Sequence, residues 1–128
     1  MSSERVLVAE DDASILRLVT AVLARAGYEV DTATNGFDAL HKIELTPYGA
    51  VVLDLMMPGS SGFDVLARLQ VTEPQHKFVI IMSAASGDVI TRAVACSNVF
   101  AVLRKPFELN DLIADVRKCI AAPHLQAA

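Results

Sequence analysis

The sequence from Ala50 to Gly59, AVVLDLMMPG, decides the fold, because four apolar residues run straight into a carboxylate and a Pro-Gly turn follows. A continuous apolar run bounded by turn residues is typical of a strand that is covered on both faces. Asp54 then lies where this strand ends, at the edge where open α/β sheets bind their ligands. Taken alone, Asp54 is slightly better explained as a solvated turn residue, so the rest of the chain has to decide.

Composition limits the classes of protein to be considered. The chain has 128 residues, of which 53% are hydrophobic, and this suits one domain with a sizeable core. A net charge of −4 gives no indication of binding to nucleic acid or to an acidic membrane surface, and no apolar segment is long enough to span a bilayer. The N-terminus lacks the form of a signal peptide, and Cys96 and Cys119 have no metal-type spacing. We therefore expect a cytoplasmic protein with two buried free thiols.

Buried strands alternate with amphipathic helices along the chain, which predicts right-handed crossovers and a parallel sheet in an α/β fold. The predicted strands are Arg5–Ala9, Tyr28–Ala33, the stretch ending at Asp54, Phe78–Met82 and Val99–Leu103. The predicted helices cover Ile15–Ala26, Phe37–Ile43, Phe63–Leu69, Asp88–Cys96 and Leu109–Ile120.

The sequence of one strand and two single residues add detail to this pattern. Tyr28–Ala33 alternates polar and apolar residues, as a half-exposed edge strand does. Gly27 is expected to end the first helix, and Asn98 is expected to adopt a left-handed backbone. We predict a single domain over residues 1–128, with its core at about 5–120 and with 121–128 as a frayed tail or the start of a linker.

Side chains that can bind ligands or react follow four of the five strands, and we expect them to meet at one edge of the sheet. They are Glu10, Asp11, Asp12, Asp54, Ser83 and Lys105. Acids before a helix also cap its free N–H groups, but three adjacent acids repel one another and favour a bound cation. Oxygen ligands favour Mg²⁺ or Ca²⁺, and few carboxylates with room for phosphate oxygens favour Mg²⁺. Asp54 beside Mg²⁺ can act as a nucleophile toward phosphorus, with Ser83 and Lys105 holding the phosphoryl oxygens.

Four motifs in this order resemble the receiver domains of bacterial two-component response regulators, similar to the single-domain chemotaxis type. The motifs are Glu10-Asp11-Asp12, Asp54 to Gly59 with Gly62, Ser83-Ala84 and Lys105-Pro106-Phe107. The likeness covers roughly Arg5 to Ile120. It implies a flavodoxin-like, doubly wound sheet of five parallel strands in the order 2-1-3-4-5, flanked by five helices.

The resemblance also implies a role for each residue around the metal. Asp54 is expected to be the phosphoacceptor and a metal ligand. Asp12 is expected to bind Mg²⁺ directly and Asp11 mainly through water. The backbone carbonyl of Met56 is expected to supply another ligand.

Further residues are implied around the phosphoryl group. Lys105 pairs with it and Ser83 donates a hydrogen bond to it, with Ala84 next in the switch segment. Glu10, Met56 and Ala85 are expected to flank the site, where family members tune the loss of the phosphoryl group. Pro106 is expected to follow a cis peptide bond.

One position departs from the family pattern. The family usually has Tyr or Phe three residues before the lysine, and that ring swings inward on activation. Here the position is Val102, and Phe100 lies nearer the far end of the strand. This departure argues against a ring-flip switch, but it leaves open a movement of Ser83 toward the phosphoryl group and a shift of the fourth helix. The candidates on the expected output surface are Val89, Arg92, Val102, Arg104 and Lys118.

The resemblance implies a phosphoacceptor signalling domain and not an enzyme, apart from self-phosphorylation and autodephosphorylation. The expected partners are a histidine kinase or histidine phosphotransfer protein and a downstream protein target or effector domain. No direct contact with nucleic acid or membrane is expected, and the oligomeric state is a monomer or a weak phosphorylation-dependent dimer.

Three alternatives remain at this point. A receiver-like interaction module that works without phosphorylation is favoured only by Val102, and the intact acid cluster opposes it. A phosphatase with an Asp nucleophile typically separates two Asp residues by one position, whereas Asp11 and Asp12 are adjacent. A flavin-binding relative needs hydroxyls and glycines after the first strand, where this chain has acids.

Overall fold

The computed structural model describes residues 4–57, 61–85 and 87–122. Within them five strands alternate with five helices. The strands are β1 (Arg5–Ala9), β2 (Glu29–Ala33), β3 (Ala50–Asp54), β4 (Val79–Ser83) and β5 (Val99–Arg104). The helices are α1 (Ala13–Arg25), α2 (Gly36–Leu45), α3 (Gly62–Thr72), α4 (Gly87–Val94) and α5 (Leu109–Ala121). None of the helices in this part of the chain is both long and apolar enough to cross a bilayer.

The sheet confirms the predicted flavodoxin-like fold. Its strands run parallel in the order β2-β1-β3-β4-β5. Every residue of β3 and β4 is buried, because helices cover both faces of these central strands. The edge strand β2 is half-exposed, as its alternating sequence predicted. The carboxyl ends of β1, β3, β4 and β5 therefore meet along one edge.

Local capping explains where several helices begin and end. Asp12 caps α1, since its side chain accepts hydrogen bonds from the backbone N–H groups of Ser14 and Ile15. Gly27 has a φ of 102° and ends α1 as predicted: its N–H donates to Ala24 and that of Tyr28 donates to Leu23. A capping box between Ser61 and Asp64 begins α3.

Two expectations about single residues are wrong. Asn98 does not adopt a left-handed backbone, since Gln75 is the one non-glycine residue with positive φ among those described. Asn98 is instead buried, and its side-chain N–H groups donate to the carbonyl oxygens of Glu73 at 2.7 Å and His76 at 3.0 Å. Cys96 is half-buried in the turn after α4, which ends at Val94 and not at Cys96, whereas Cys119 is buried as expected.

Some expectations concern the loop after β3 and the C-terminal tail. Pro58 and Gly59 of the β3 motif, and residues 123–128 of the predicted tail, lie outside the described residues. Helix α5 includes Ala121, so the described chain is helical one residue into the predicted tail.

Candidate functional site

The carboxyl edge of the sheet brings together side chains from four strands. Glu10 follows β1, Asp54 ends β3, Ser83 ends β4 and Lys105 follows β5. The Lys105 Nζ lies 2.6 Å from Glu10 Oε1 and 3.5 Å from Asp54 Oδ2. Glu10, Asp54 and Ser83 are all buried. The convergence expected from the strand pattern is therefore present.

Lys105 is paired more closely with Glu10 than with Asp54. Burial by itself would lower the pKa of Lys105, but the hydrogen bond to Glu10 and the charge of Asp54 outweigh burial and raise this pKa. Burial raises the pKa of Glu10, an effect that the Lys105 ammonium opposes. Glu10 Oε2 also accepts the Asp12 backbone N–H at 3.1 Å. Glu10 thus connects Lys105 to the loop between β1 and α1, although the resemblance implied only a flanking role for it.

Three carboxylates form a cluster suited to a cation. Glu10, Asp11 and Asp54 each offer an oxygen, and the three oxygens lie within 4.8 Å of one another. Two of these residues are buried, and Asp11 is exposed. Among the described residues, one ammonium, that of Lys105, forms ion pairs with this cluster. The surplus negative charge and the all-oxygen donor set fit a hard divalent cation such as Mg²⁺.

Asp12 does not join this cluster. Its Oδ1 accepts hydrogen bonds from the backbone N–H groups of Ser14 at 2.9 Å and Ile15 at 3.0 Å. The sequence allowed both a capping and a metal role for the acids before α1, and the resemblance implied direct metal binding by Asp12. The structure gives Asp12 the capping role and places Glu10 and Asp11 beside Asp54, because α1 begins directly after Asp12.

The backbone around Asp54 is closely packed. Asp54 Oδ1 accepts the Met56 backbone N–H at 3.1 Å, and the Met56 side chain is exposed. The Gly62 N–H donates to the Leu55 carbonyl at 3.0 Å. A Cβ at Gly62 would lie 2.5 Å from the Asp54 carbonyl oxygen and 2.6 Å from the Leu55 Cα. The start of α3 therefore lies directly on the end of β3.

Ser83 and Lys105 are also joined through the backbone. The Lys105 N–H donates to the Ser83 carbonyl at 2.8 Å, and the Ala85 N–H donates to Ser83 Oγ at 2.9 Å. Ala84 is exposed and Ala85 half-buried. The peptide bond between Lys105 and Pro106 is cis, as the resemblance implied. The Ser83 hydroxyl retains its proton for donation, because its oxygen acts as the acceptor in this contact.

Position 102, where the family usually has Tyr or Phe, lies in β5. Val102 is half-buried and lies opposite Ile81 of β4. The pairing shifts between Val79 and Ile80, so that Phe100 is passed over in the register of β5. Sequence spacing alone could not predict this irregularity.

An apolar groove lies beside Lys105. It has a volume of about 620 Å³. Its apolar lining includes Ile15 and Leu18 of α1, Phe107, and Leu109 of α5. Leu18 is 52% exposed. The groove therefore presents apolar surface next to the charged cluster, a feature that the helical pattern of α1 did not reveal.

Comparison with known proteins agrees with this fold. Residues 6–117 match the model of the response regulator receiver domain. The chain belongs to the response regulator receiver domain family. Receiver domains are signalling domains, not classical enzymes, and they interact with histidine kinases and effector domains.

Individual relatives resemble this receiver domain along most of its length. The transcriptional regulatory protein TcrA of Mycobacterium tuberculosis is 36% identical over 91% of the chain, which spans 46% of TcrA. The response regulator receiver protein CpdR of Brucella abortus is 30% identical over 93% of the chain, which spans 98% of CpdR. The chain spans about half or less of several other curated relatives.

One solved structure similar to this chain holds ligands. The response regulator TrrA of Thermotoga maritima, in complex with Mg²⁺ and BeF, is 32% identical with a TM-score of 0.79. The alignment covers 90% of this chain and 97% of TrrA.

Proposed function

We propose that this receiver domain accepts one phosphoryl group on Asp54 and thereby changes its protein-binding surface. The observation that carries the proposal is the position of Asp54, whose carboxylate lies 3.5 Å from Lys105 in a cluster with Glu10 and Asp11. A nucleophilic carboxylate needs a neighbouring cation to receive a phosphoryl group, because both reactants are anionic. The described site offers one cation in Lys105 and a donor set for a second.

The proposed transfer forms one bond and breaks one bond. An Asp54 carboxylate oxygen attacks phosphorus, and the bond from phosphorus to the donor atom breaks with its electron pair leaving on the donor. With a phosphohistidine donor, the leaving atom is a ring nitrogen. The product is an acyl phosphate on Asp54, which water later hydrolyses to restore the carboxylate and release phosphate.

Glu10, Asp11, Asp54 and the Met56 backbone carbonyl are the proposed ligands for Mg²⁺. The cation supplies charge neutralisation for the phosphoryl oxygens when it is bound. Lys105 lies within reach of two carboxylates and can shift toward a phosphoryl oxygen without leaving the site. Ser83 holds a hydroxyl proton ready to donate, and its backbone is tied to Lys105. The new negative charge requires such donors.

The proposed phosphodonor is a histidine kinase or a histidine phosphotransfer protein. The groove supports a protein donor, since it offers apolar contact area next to Lys105, which lies 3.5 Å from the reacting carboxylate. The proposed output is contact with a downstream protein or an effector domain. The single-domain organisation, the cytoplasmic location and the monomer or weak dimer remain predictions.

Intact-mass spectrometry after incubation with acetyl phosphate and Mg²⁺ tests the proposal. We expect the wild-type chain to gain one phosphoryl group and the Asp54→Asn variant to gain none. Hydroxylamine is expected to remove the added group, because it cleaves acyl phosphates. Removal of Mg²⁺ by a chelator is expected to prevent the gain.

The matched control is Asp111→Asn, which changes an exposed carboxylate on α5 outside the cluster. This variant is expected to gain the phosphoryl group as the wild type does. If the wild type gains nothing under saturating donor, the phosphoacceptor proposal is wrong and an interaction module that needs no phosphorylation takes its place.

A further inference from the structure

A contact between α3 and α4 lies outside the cluster of carboxylates. The guanidinium carbon of Arg92 in α4 lies 4.5 Å from the centroid of the Phe63 ring in α3. This distance is within the range of a cation–π interaction. Arg92 is exposed and Phe63 is half-buried, so the pair forms at the surface where the two helices meet.

Phe63 is closely connected to the proposed phosphoacceptor. It follows Gly62, whose N–H bonds to the Leu55 carbonyl and whose Cα leaves no space for a Cβ against the Asp54 carbonyl. A change in the backbone at Asp54 is therefore passed directly to the start of α3, because close-packed atoms cannot absorb it. The path from Asp54 to the Phe63 ring crosses one packing contact and one peptide bond.

Apart from the contact with Phe63, helix α4 packs on the core through Ala93 and the half-buried Val89 and Ile90. Of its eight residues, all of which the structure describes, Ala93 alone is buried. By comparison, α3 buries four residues. An element with so little buried surface is drawn from the low-stability end of a fold, where single contacts shift its position.

We propose that the contact between Phe63 and Arg92 is a latch that holds α4 against α3 in the unphosphorylated protein and is loosened by phosphorylation of Asp54. This inference rests on the proposed function. With this latch, a structural change at Asp54 reaches α4 without an aromatic residue at position 102. Loosening the latch also releases the Arg92 guanidinium for contact with a partner protein.

The expected effect follows from the strength of such a contact. An exposed cation–π pair changes an equilibrium by about two- to five-fold. If the latch favours the unphosphorylated conformation, its loss must tighten binding of a phosphoryl analogue by the same factor, because coupling between two sites is reciprocal. Beryllofluoride with Mg²⁺ is the probe, since a receiver domain relative was solved in complex with it.

The experiment measures beryllofluoride affinity by calorimetric titration in Mg²⁺ for four proteins. These are the wild type, Phe63→Leu, Arg92→Gln and the double variant. Phe63→Leu keeps apolar bulk without the ring, and Arg92→Gln keeps length without the charge. The matched control is Arg68→Gln on the exposed side of α3. Arg92 is exposed, so its variant tests the latch even if Phe63→Leu fails to fold.

The latch predicts that each single variant binds beryllofluoride about two- to five-fold more tightly than the wild type. The double variant is expected to bind no more tightly than either single variant, since each change removes the same contact. Unchanged or weaker binding by Arg92→Gln, or an equal gain in Arg68→Gln, overturns the latch and leaves the proposed function intact. A wild type that does not bind the probe overturns both.

Discussion

At the scale of single residues, Gly62 shows how tightly the site is built. Its amide N–H bonds to the Leu55 carbonyl, and its missing Cβ allows α3 to begin against the end of β3. The sequence indicated Gly62 as part of a motif, but the reason for glycine is a close approach between two segments. Gly87 differs, since a Cβ there would meet nothing within 4 Å.

Replacing Gly62 with alanine is expected to destabilise the protein. The added methyl group would lie 2.5 Å from a backbone oxygen and 2.6 Å from a Cα, neither of which can rotate away. We expect a loss of about 1–3 kcal/mol in the free energy of unfolding, as in other overpacked sites. Urea denaturation measures it. Gly87→Ala is the control and is expected to be neutral or stabilising by up to about 1 kcal/mol, so equal losses in both variants would contradict this explanation.

At the scale of elements, the start of α1 assigns the three adjacent acids to different tasks. Asp12 caps the helix, Glu10 pairs with Lys105, and Asp11 lies with Glu10 and Asp54. Strand β1 ends at Ala9 and α1 begins at Ala13, so three residues make the whole turn. A shift of either boundary by one residue would exchange their roles. This is why Asp11, and not Asp12, lies in the cluster with Asp54.

Substitution of Asp12 and Asp11 separates the capping role from the metal role. Asp12→Ala is expected to lower the free energy of unfolding by about 0.5–2 kcal/mol, because two backbone N–H groups lose their acceptor. Its Mg²⁺ affinity is expected to stay near that of the wild type. Asp11→Ala is expected to weaken Mg²⁺ binding strongly with a smaller effect on stability.

Urea denaturation and calorimetric Mg²⁺ titration measure the two effects. Asp12→Asn is the control, since asparagine also caps helices well. It is expected to restore most of the stability that Asp12→Ala loses. If Asp12→Ala abolished Mg²⁺ binding while Asp11→Ala retained it, the assignment would be reversed.

At the scale of the whole molecule, the last turns of α5 pack near the amino-terminal ends of β3 and β4. Its Cys119 is buried, and Sγ lies 3.6 Å from the Gly49 carbonyl and 3.8 Å from the Lys77 carbonyl. These carbonyls precede β3 and β4. Burial, with a smaller contribution from Asp115, raises the pKa of Cys119 from 9.0 to about 12. The thiol therefore stays protonated in the folded protein at a pH where the unfolded chain ionises.

This difference predicts a loss of stability at alkaline pH. The unfolded chain releases the Cys119 proton first, so stability is expected to fall as pH rises from 9 toward about 12. By pH 10 this one group lowers the free energy of unfolding by about 1.4 kcal/mol. Cys119→Ser is expected to flatten the decline, measured by urea denaturation between pH 8 and 10.

Two comparisons check the origin of this alkaline effect. Cys96→Ser changes a half-buried thiol in a surface turn and is expected to leave the decline as in the wild type. Burial and the hydrogen bond to Asp31 raise the pKa of Tyr48 to about 12, so the tyrosine adds to the decline above pH 10. A decline that is unchanged in Cys119→Ser would exclude the thiol as its source.

The alternation of buried strands and amphipathic helices was enough to predict the α/β architecture. Apolar runs such as those of β3 and β4 require cover on both faces, and parallel crossovers place every strand end at one edge. These rules depend on periods of two and 3.6 residues, which local sequence carries. Hence the convergence of Asp54, Ser83 and Lys105 could be predicted before any contact was known.

Contacts between distant segments were decided only by the tertiary structure. Asn98 was expected to adopt a left-handed backbone, but its side-chain amide instead donates to two carbonyls 22 and 25 residues away. The ring of Phe63 lies under a guanidinium from another helix, and Glu10 pairs with Lys105 across 95 positions. Local periodicity carries no information about such pairs, because they depend on where whole elements pack. The apolar pattern was enough to predict the fold and the edge that holds the site, whereas packing between distant elements placed Glu10 and Asp11 beside Asp54 and Arg92 over the Phe63 ring.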